Sequence, residues 1–380
     1  MRNRYNEKHT ERNIVNSCAD PHASLASENA ALDLYSTQYL ARRILICSLV
    51  LVFIALLSFM LGRYFAWPPE VWQAVKEHIT DFVAHLQNPD AISVISDLKL
   101  DAALFNIRLP RIIVVLLVGM ALSVAGASYQ GMFKNPLVSP DLLGASAGAS
   151  FGACLAMLLN LEIIWIQLFA FAGGMAAVFF VMLINKAVRA DAILGLILGG
   201  ILVGTLFSSG TSIIKLVADA DDKLPAITFW LMGSFASITV KDMLMVLPAM
   251  VLGFILLLAQ RWNLNVLSFG EEEARSLGIN TNATRTIVIF AATLLTACSV
   301  AVAGIIGWIG LVVPHLTRAI VGPNYKVLLP TTMLVGAGFL LIVDNVSRLL
   351  FSVEIPIGLL TSILGVPFFV FIYRKNMKGW

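Results

Sequence analysis

The ionisable residues of this 380-residue chain are few, and their spacing limits the chemistry open to them. Asp344 and Arg348 stand four apart, on one face of a helix, with Glu354 just beyond. Such a pair is first of all a helix-stabilising ion pair, yet within a membrane it is a functional candidate, because burying charge there is expensive. His315 follows Pro314 in the run from Gly307 to Arg318 and has no carboxylate neighbour in sequence, so it reads as a hydrogen-bonded structural residue rather than a proton relay. The cysteines Cys18, Cys47, Cys154 and Cys298 are far apart and offer neither a metal-ligand spacing nor a disulfide framework. No G-x-x-x-x-G-K-[S/T] phosphate loop, H-E-x-x-H or G-x-S-x-G motif occurs. The residues assemble no catalytic constellation and no metal or cofactor site.

Composition explains why. Hydrophobic residues make up 58% of the chain, charged residues 13%, and the mean hydropathy is +0.85. Soluble domains carry about 25% charged residues, so a water-soluble enzyme, a nucleic-acid binder and a disordered chain are excluded. Ten apolar segments are long enough to be membrane helices: 44–62, 112–132, 142–159, 163–184, 193–217, 241–259, 286–303, 306–321, 328–350 and 356–373. None alternates as a barrel strand would. The expected fold is therefore all-α, a polytopic membrane protein of ten transmembrane helices. Residues 1–43 form a polar, flexible tail without a cleavable signal, and 44–380 the membrane domain.

Lys and Arg set the orientation. With the N-terminus inside, cytoplasmic segments hold 17 of the 26 basic residues and outer segments nine, five of these in the long connection 63–111. Both termini are expected in the cytoplasm. The longest inner loop, 260–285, reads as two short helices, the second opening on Glu271, Glu272 and Glu273, which suit a helix N-terminus, and stopping at Gly278. Gly144/Gly148/Gly152, Gly195/Gly199 and Gly200/Gly204 recur at four-residue spacing, as close helix packing requires. Mid-span carboxylates, which a secondary ion-coupled carrier would need, are missing from the second to sixth spans.

Ordered blocks complete the picture: Arg108-Leu-Pro-Arg111, the run Gln130 to Gly144, Ser146 to Ala149, Trp230 to Phe235, the Glu-Glu-Ala-Arg-Ser-Leu-Gly loop ending at Gly278, Gly307 to His315, Asp344 to Arg348, Glu354 to Gly358 and Leu364 to Phe369. In this order, over about residues 45–375, they resemble the FecCD family of permeases. These are the membrane subunits of ABC importers for iron–siderophore complexes, haem and cobalamin.

The resemblance implies the type II ABC importer permease fold in a bacterial inner membrane. It implies two cytoplasmic ATPase subunits per complex, which would account for the missing phosphate loop, a second permease copy or sister permease, and a periplasmic or lipid-anchored substrate-binding protein. Carried over by position, Arg108 and Arg348 would dock carboxylates of that binding protein, with Arg111 a weaker candidate. Glu273, Ala274 and Leu277 would contact the ATPase, with Gly278 permitting the turn. Ala192, Ile193 and Leu194 would form the cytoplasmic gate, and the fifth and tenth spans and the Trp230 segment would line the pathway. The cargo implied is a metal chelate, ferric siderophore first, with haem or cobalamin as alternatives.

Overall fold

A computed structural model describes residues 21–62, 66–88, 95–188, 192–350 and 353–376. Among these residues the chain is helical throughout, with no strand. Seven helices are long and apolar enough to cross a bilayer, and three shorter apolar helices occupy the remaining expected positions. The first twenty residues of the expected tail lie outside the described residues. The rest of that tail is helical: α1 (Pro21–Met60) runs unbroken into the first span. The chain divides after Ile46, and the unit from Cys47 onward carries all the helices that pack into a core.

After α1 come α2 (Pro68–Gln87) and α3 (Leu98–Met132), the latter containing a π-helical turn at Ala102–Arg108. A 3-10 turn at Pro140–Leu143 leads into α4 (Ala145–Leu158), then α5 (Ile163–Val188), α6 (Ala192–Val217), α7 (Lys223–Leu231) and α8 (Val240–Ala259). The expected inner loop is α9 (Arg261–Phe269) and α10 (Glu271–Ser276). It is followed by α11 (Thr281–Ala303), α12 (Ile309–Val321), α13 (Tyr325–Leu349) and α14 (Ile357–Asn376). At 1.5 Å per residue, α4 and α12 are only about 20 Å long. They are too short to cross about 30 Å of hydrocarbon, so the third and eighth expected segments are helical but shorter than full spans.

Helices α3 and α11 are mostly buried and form the hub, whereas the spanning part of α1 is scarcely buried. Helix α3 packs on α11, α12 and α13, and α4 packs on α5 and α6. Small residues make this possible. A Cβ on Gly119 of α3 would lie 2.5 Å from the Gly336 carbonyl oxygen of α13. A Cβ on Gly148 of α4 would overlap the Gly173 carbonyl and come within 2.6 Å of the Ala177 Cβ on α5. The glycine stripe of the sequence is thus a contact between backbones, where any side chain is excluded.

Three chain breaks meet and satisfy one another. Ser234 N donates to Ala303 O at 2.9 Å, Ile357 N to Gly233 O at 2.9 Å and Gly358 N to Met232 O at 3.0 Å. Non-helical backbone away from water requires such partners. Gly233 and Gly304 take φ of +75° and +69°, conformations open to glycine at no steric cost.

Replacing Gly148 by Ile should cost at least 1–3 kcal/mol, on the order found for overpacked cores, and lower the thermal midpoint in detergent. Gly307→Ala, where an added Cβ meets nothing within 4 Å, should leave that midpoint unchanged.

Candidate functional site

The charged residues singled out by spacing converge where α3 begins and α13 ends. Arg111 Nη2 lies 2.8 Å from Asp344 Oδ1 and 2.9 Å from Glu354 Oε2, while its Nη1 donates to Glu354 Oε1 at 3.1 Å. Asp344 is fully buried. Its other oxygen is 3.2 Å from Arg348 Nε, an ion pair without hydrogen-bond geometry. Arg348 Nη2 donates to Ser58 Oγ at 2.9 Å and to Asn345 Oδ1. Arg108 Nη1 donates to the carbonyls of Phe59 and Met60, at 2.8 and 3.2 Å, capping the end of α1.

All three arginines are together, as their assignment to one surface required, but they do not face outward. Arg108 and Arg111 are each 5% exposed and Arg348 8%. The reason is electrostatic: a charge drawn from water is tolerated only when paired and hydrogen-bonded, and these guanidiniums find Asp344, Glu354, Ser58 and helix-end carbonyls. The i,i+4 partner predicted for Asp344 is the weaker one. Its closest cation is Arg111, 233 residues away, a pairing that local spacing cannot reveal. Glu354, with its side chain 26% exposed, is the member of the cluster that reaches the surface.

The second site is the two-helix loop. Val266, Leu267 and Ala274 form a small buried core, with Ile279 against it. Ala274 is therefore part of the packing that makes α9 and α10 one unit, and its methyl is not available to a partner. Glu273 and Leu277 are exposed, and Gly278, at φ +79°, turns the chain into α11 with open space around it. Phe269 was not singled out from the sequence, yet it is 79% exposed, as Leu277 is at 68%. The available signal was its place immediately before Gly270, where α9 ends.

Ion pairs brace this unit. Glu271 Oε2 is 2.9 Å from Arg285 Nη2 on α11, and Glu271 Oε1 is 2.9 Å from Arg275 Nη2. The hydrogen bond from Arg285 holds the Glu271 carboxyl below the usual carboxylate range, against a smaller opposing effect of burial. Asn265 ties the same unit to α13, accepting from Tyr325 N at 2.7 Å and donating to Asn324 Oδ1 at 2.8 Å. Helix α13 therefore has the loop at its first residue and the arginine cluster at its last turn.

A groove of about 580 Å³ is lined by residues of α6 and of the Ser139–Gly144 stretch, with Ala147 of α4. Gly200 and Gly204 let that stretch lie close to α6. The polar lining is hydroxyl-rich, with Ser139, Thr205, Ser208, Ser209 and Ser212, and its single charged residue is Asp141, bonded to Ser146. Thr205 and Ser212 donate to carbonyls of their own helix, at 2.8 and 3.0 Å, which leaves lone pairs toward the groove. Of the expected gate residues, Ile193 is half-buried and Leu194 exposed at the start of α6, while the Ala192 side chain lies outside the described residues. No group of three His, Cys, Asp or Glu among the described residues is placed to hold a metal.

Similarity to known proteins matches this architecture. The sequence profile of the FecCD transport family covers residues 49–375. The chain is 38% identical over 333 residues to a molybdate import system permease protein of Haemophilus influenzae, covering 87% of this chain and 95% of that one. It is 36% identical over 310 residues to a probable iron chelatin transport system permease protein of Helicobacter pylori, covering 81% and 90%. A solved inward-facing ABC transporter of metal-chelate type superposes with a TM-score of 0.77 at 37% identity, covering 88% of this chain and 99% of that one.

Two outcomes are expected from this geometry. Arg111→Met leaves the buried Asp344 carboxylate short of its main partner and should destabilise the protein by roughly 3–5 kcal/mol, read as a fall in thermal midpoint. The double variant Arg111→Met with Asp344→Leu should recover much of that loss. For the loop, a carboxyl held low in the folded state stabilises above its unfolded pKa and loses that contribution as pH falls through the folded value. Glu271→Gln should therefore be less stable than the parent at neutral pH, and the difference should vanish on acidification.

Proposed function

The chain belongs to the FecCD transport family, and on that premise we propose that it is the permease of an ATP-driven importer that brings a metal chelate, foremost a ferric siderophore, into the cytoplasm. Two cytoplasmic ATPase subunits would hydrolyse ATP, and a second copy or sister permease would complete the pore. A periplasmic or lipid-anchored binding protein would deliver the ligand. The membrane would be the bacterial inner membrane, with both termini in the cytoplasm.

One observation carries this proposal: the α9–α10 unit ends in an unpartnered apolar tip, Phe269 and Leu277, yet is rigidly fastened to α11 through Glu271–Arg285 and to α13 through Asn265. An exposed apolar tip on a braced pair of short helices is what a moving partner needs to push on. Glu273 would rim the contact and Gly278 would set the turn. Force applied there would pass along α11 and α13, and α13 is about 37 Å long at 1.5 Å per residue. It would arrive at the arginine cluster. Ala192, Ile193 and Leu194 would close the inner end of the pathway, lined by α6, α7 and α14.

Docking at the other end takes a modified form. Arg108, Arg111 and Arg348 would shape the surface that receives the binding protein, by locking the ends of α1, α3 and α13, while Glu354 would reach the partner. Charge reversal of a buried guanidinium would unfold the cluster before it altered docking.

The groove's lining holds one acidic side chain and no cationic one, so a bare dianion would lack a counter-charge there. Molybdate is the second reading, because the H. influenzae relative matches over nearly its whole length. Proteoliposomes holding the complete transporter should accumulate a ⁵⁵Fe-labelled siderophore in an ATP-dependent way and leave molybdate outside. Accumulation of molybdate alone would replace the chelate reading with the oxyanion one.

Phe269→Asp with Leu277→Asp should abolish co-purification of the ATPase subunits in mild detergent, with the thermal midpoint of the permease unchanged. Retention of the ATPase by this variant would remove the loop from the coupling role.

A further inference from the structure

Helix α2 has more apolar surface than the fold uses. Ala66, Ala74, Leu100 and Leu104 form a buried cluster with Phe59, Val71 and Phe105 packed on it, which fixes one side of α2 to the start of α3 and the end of α1. His78 stacks on Phe105 with ring centroids 3.8 Å apart, and its Nδ1 lies 2.8 Å from Asp101 Oδ1. An adjoining stripe at helical spacing comprises Trp72, Ile79, Phe82, Val83 and Leu86. Every member is exposed, Trp72 by 72% and Leu86 by 70%. Gln73, Glu77 and Thr80 occupy the opposite side.

We propose that α2 lies flat in the headgroup layer of the leaflet at the Arg108 end of α3, with the Trp72–Leu86 stripe seated in lipid. Three observations select lipid over a protein partner. The helix is tied through the Phe59 cluster to the end of α1, where Leu49, Phe53 and Leu56 are each about 60% exposed on a segment apolar and long enough to span a bilayer. Only residues 61–67 separate the end of α1 from the start of α2, and the packing of Phe59 with Val71 and Ala74 in one cluster holds α2 beside that helix end. Trp72 has Lys76 one turn further along, a pairing suited to the interface, where tryptophan settles and lysine reaches toward water.

The charges also define the kind of lipid surface. Helix α2 carries Glu70, Glu77 and Asp81 against Lys76, so nothing draws it to anionic headgroups. Its attachment rests on apolar area and is indifferent to anionic lipid. The bond from His78 to Asp101 and the stack on Phe105 then tie this seated helix to the π-helical turn Ala102–Arg108. The arginine end of α3 is thereby held at a set depth relative to the bilayer surface.

The test uses the full-length protein with its four cysteines replaced by alanine, in phosphatidylcholine nanodiscs. Single nitroxide labels are placed at Trp72→Cys, Ile79→Cys, Val83→Cys and Leu86→Cys, and on the other side at Gln73→Cys and Thr80→Cys. The stripe positions should collide preferentially with dissolved oxygen and the other two with a water-soluble nickel chelate, and the pattern should persist when anionic phosphatidylglycerol is added. Stripe labels open to the nickel chelate would mean a face in water and overturn the proposal. Stripe labels immobilised and shielded from both probes would mean a protein cover, a second copy included, and would equally overturn it.

Discussion

Polar groups withdrawn from water need partners, and the joints between the helices of this molecule answer to that constraint. Helices satisfy their own backbones, so the risk is concentrated where helices stop. Three stops, after α7, after α11 and before α14, are brought to one place, and their amides and carbonyls serve one another. The same demand governs side chains. Gln130, buried on α3, accepts from Arg318 at 2.5 Å and reaches the Val138 carbonyl, joining α3 to α12 and to the loop beyond α3. Because these joints are made of directional bonds rather than interchangeable apolar contacts, they fix relative positions as well as adding stability.

The two charged regions use this rule in different ways. Around Asp344 the charges are buried, and they hold three chain segments, α1, α3 and α13, in one arrangement. Around Glu271 they are half-exposed and act as a brace, leaving the apolar tip at Phe269 and Leu277 free. Helix α13 touches both regions, through Tyr325 at its beginning and Arg348 at its end. Over a length of about 37 Å at 1.5 Å per residue, one helix thus joins the two charged regions.

Some of this was legible in the sequence because the signals are local. Apolar length located the seven helices long enough to span and the three shorter apolar ones, and the glycine spacing marked α4 as a close-packing helix. The turn at Gly278 and the acidic start of α10 followed from helix-end preferences. Other features were hidden because they depend on residues distant in the chain. Arg111 and Asp344 are neighbours only after α3 and α13 pack. Ala274 reads as a surface residue of a short helix until Val266 and Leu267 cover it. Segments 142–159 and 306–321 have enough apolar residues to span, and only the turn at Pro140–Leu143 and the break at Gly304–Trp308 show why the helices are short. Helicity beyond Pro21 was also missed, since a polar composition says nothing against a helix that simply continues a span.

The sequence alone therefore determined the membrane environment, the helical class and the order of the segments, since each follows from hydrophobicity integrated over about twenty residues, and backbone satisfaction in lipid leaves helices as the solution. It also determined the family, through ordered blocks of residues. Tertiary structure decided which charges are free and which are spent inside. Burial and pairing are properties of packed surfaces, and the three arginines that look alike on the chain become internal fasteners only when α1, α3 and α13 meet.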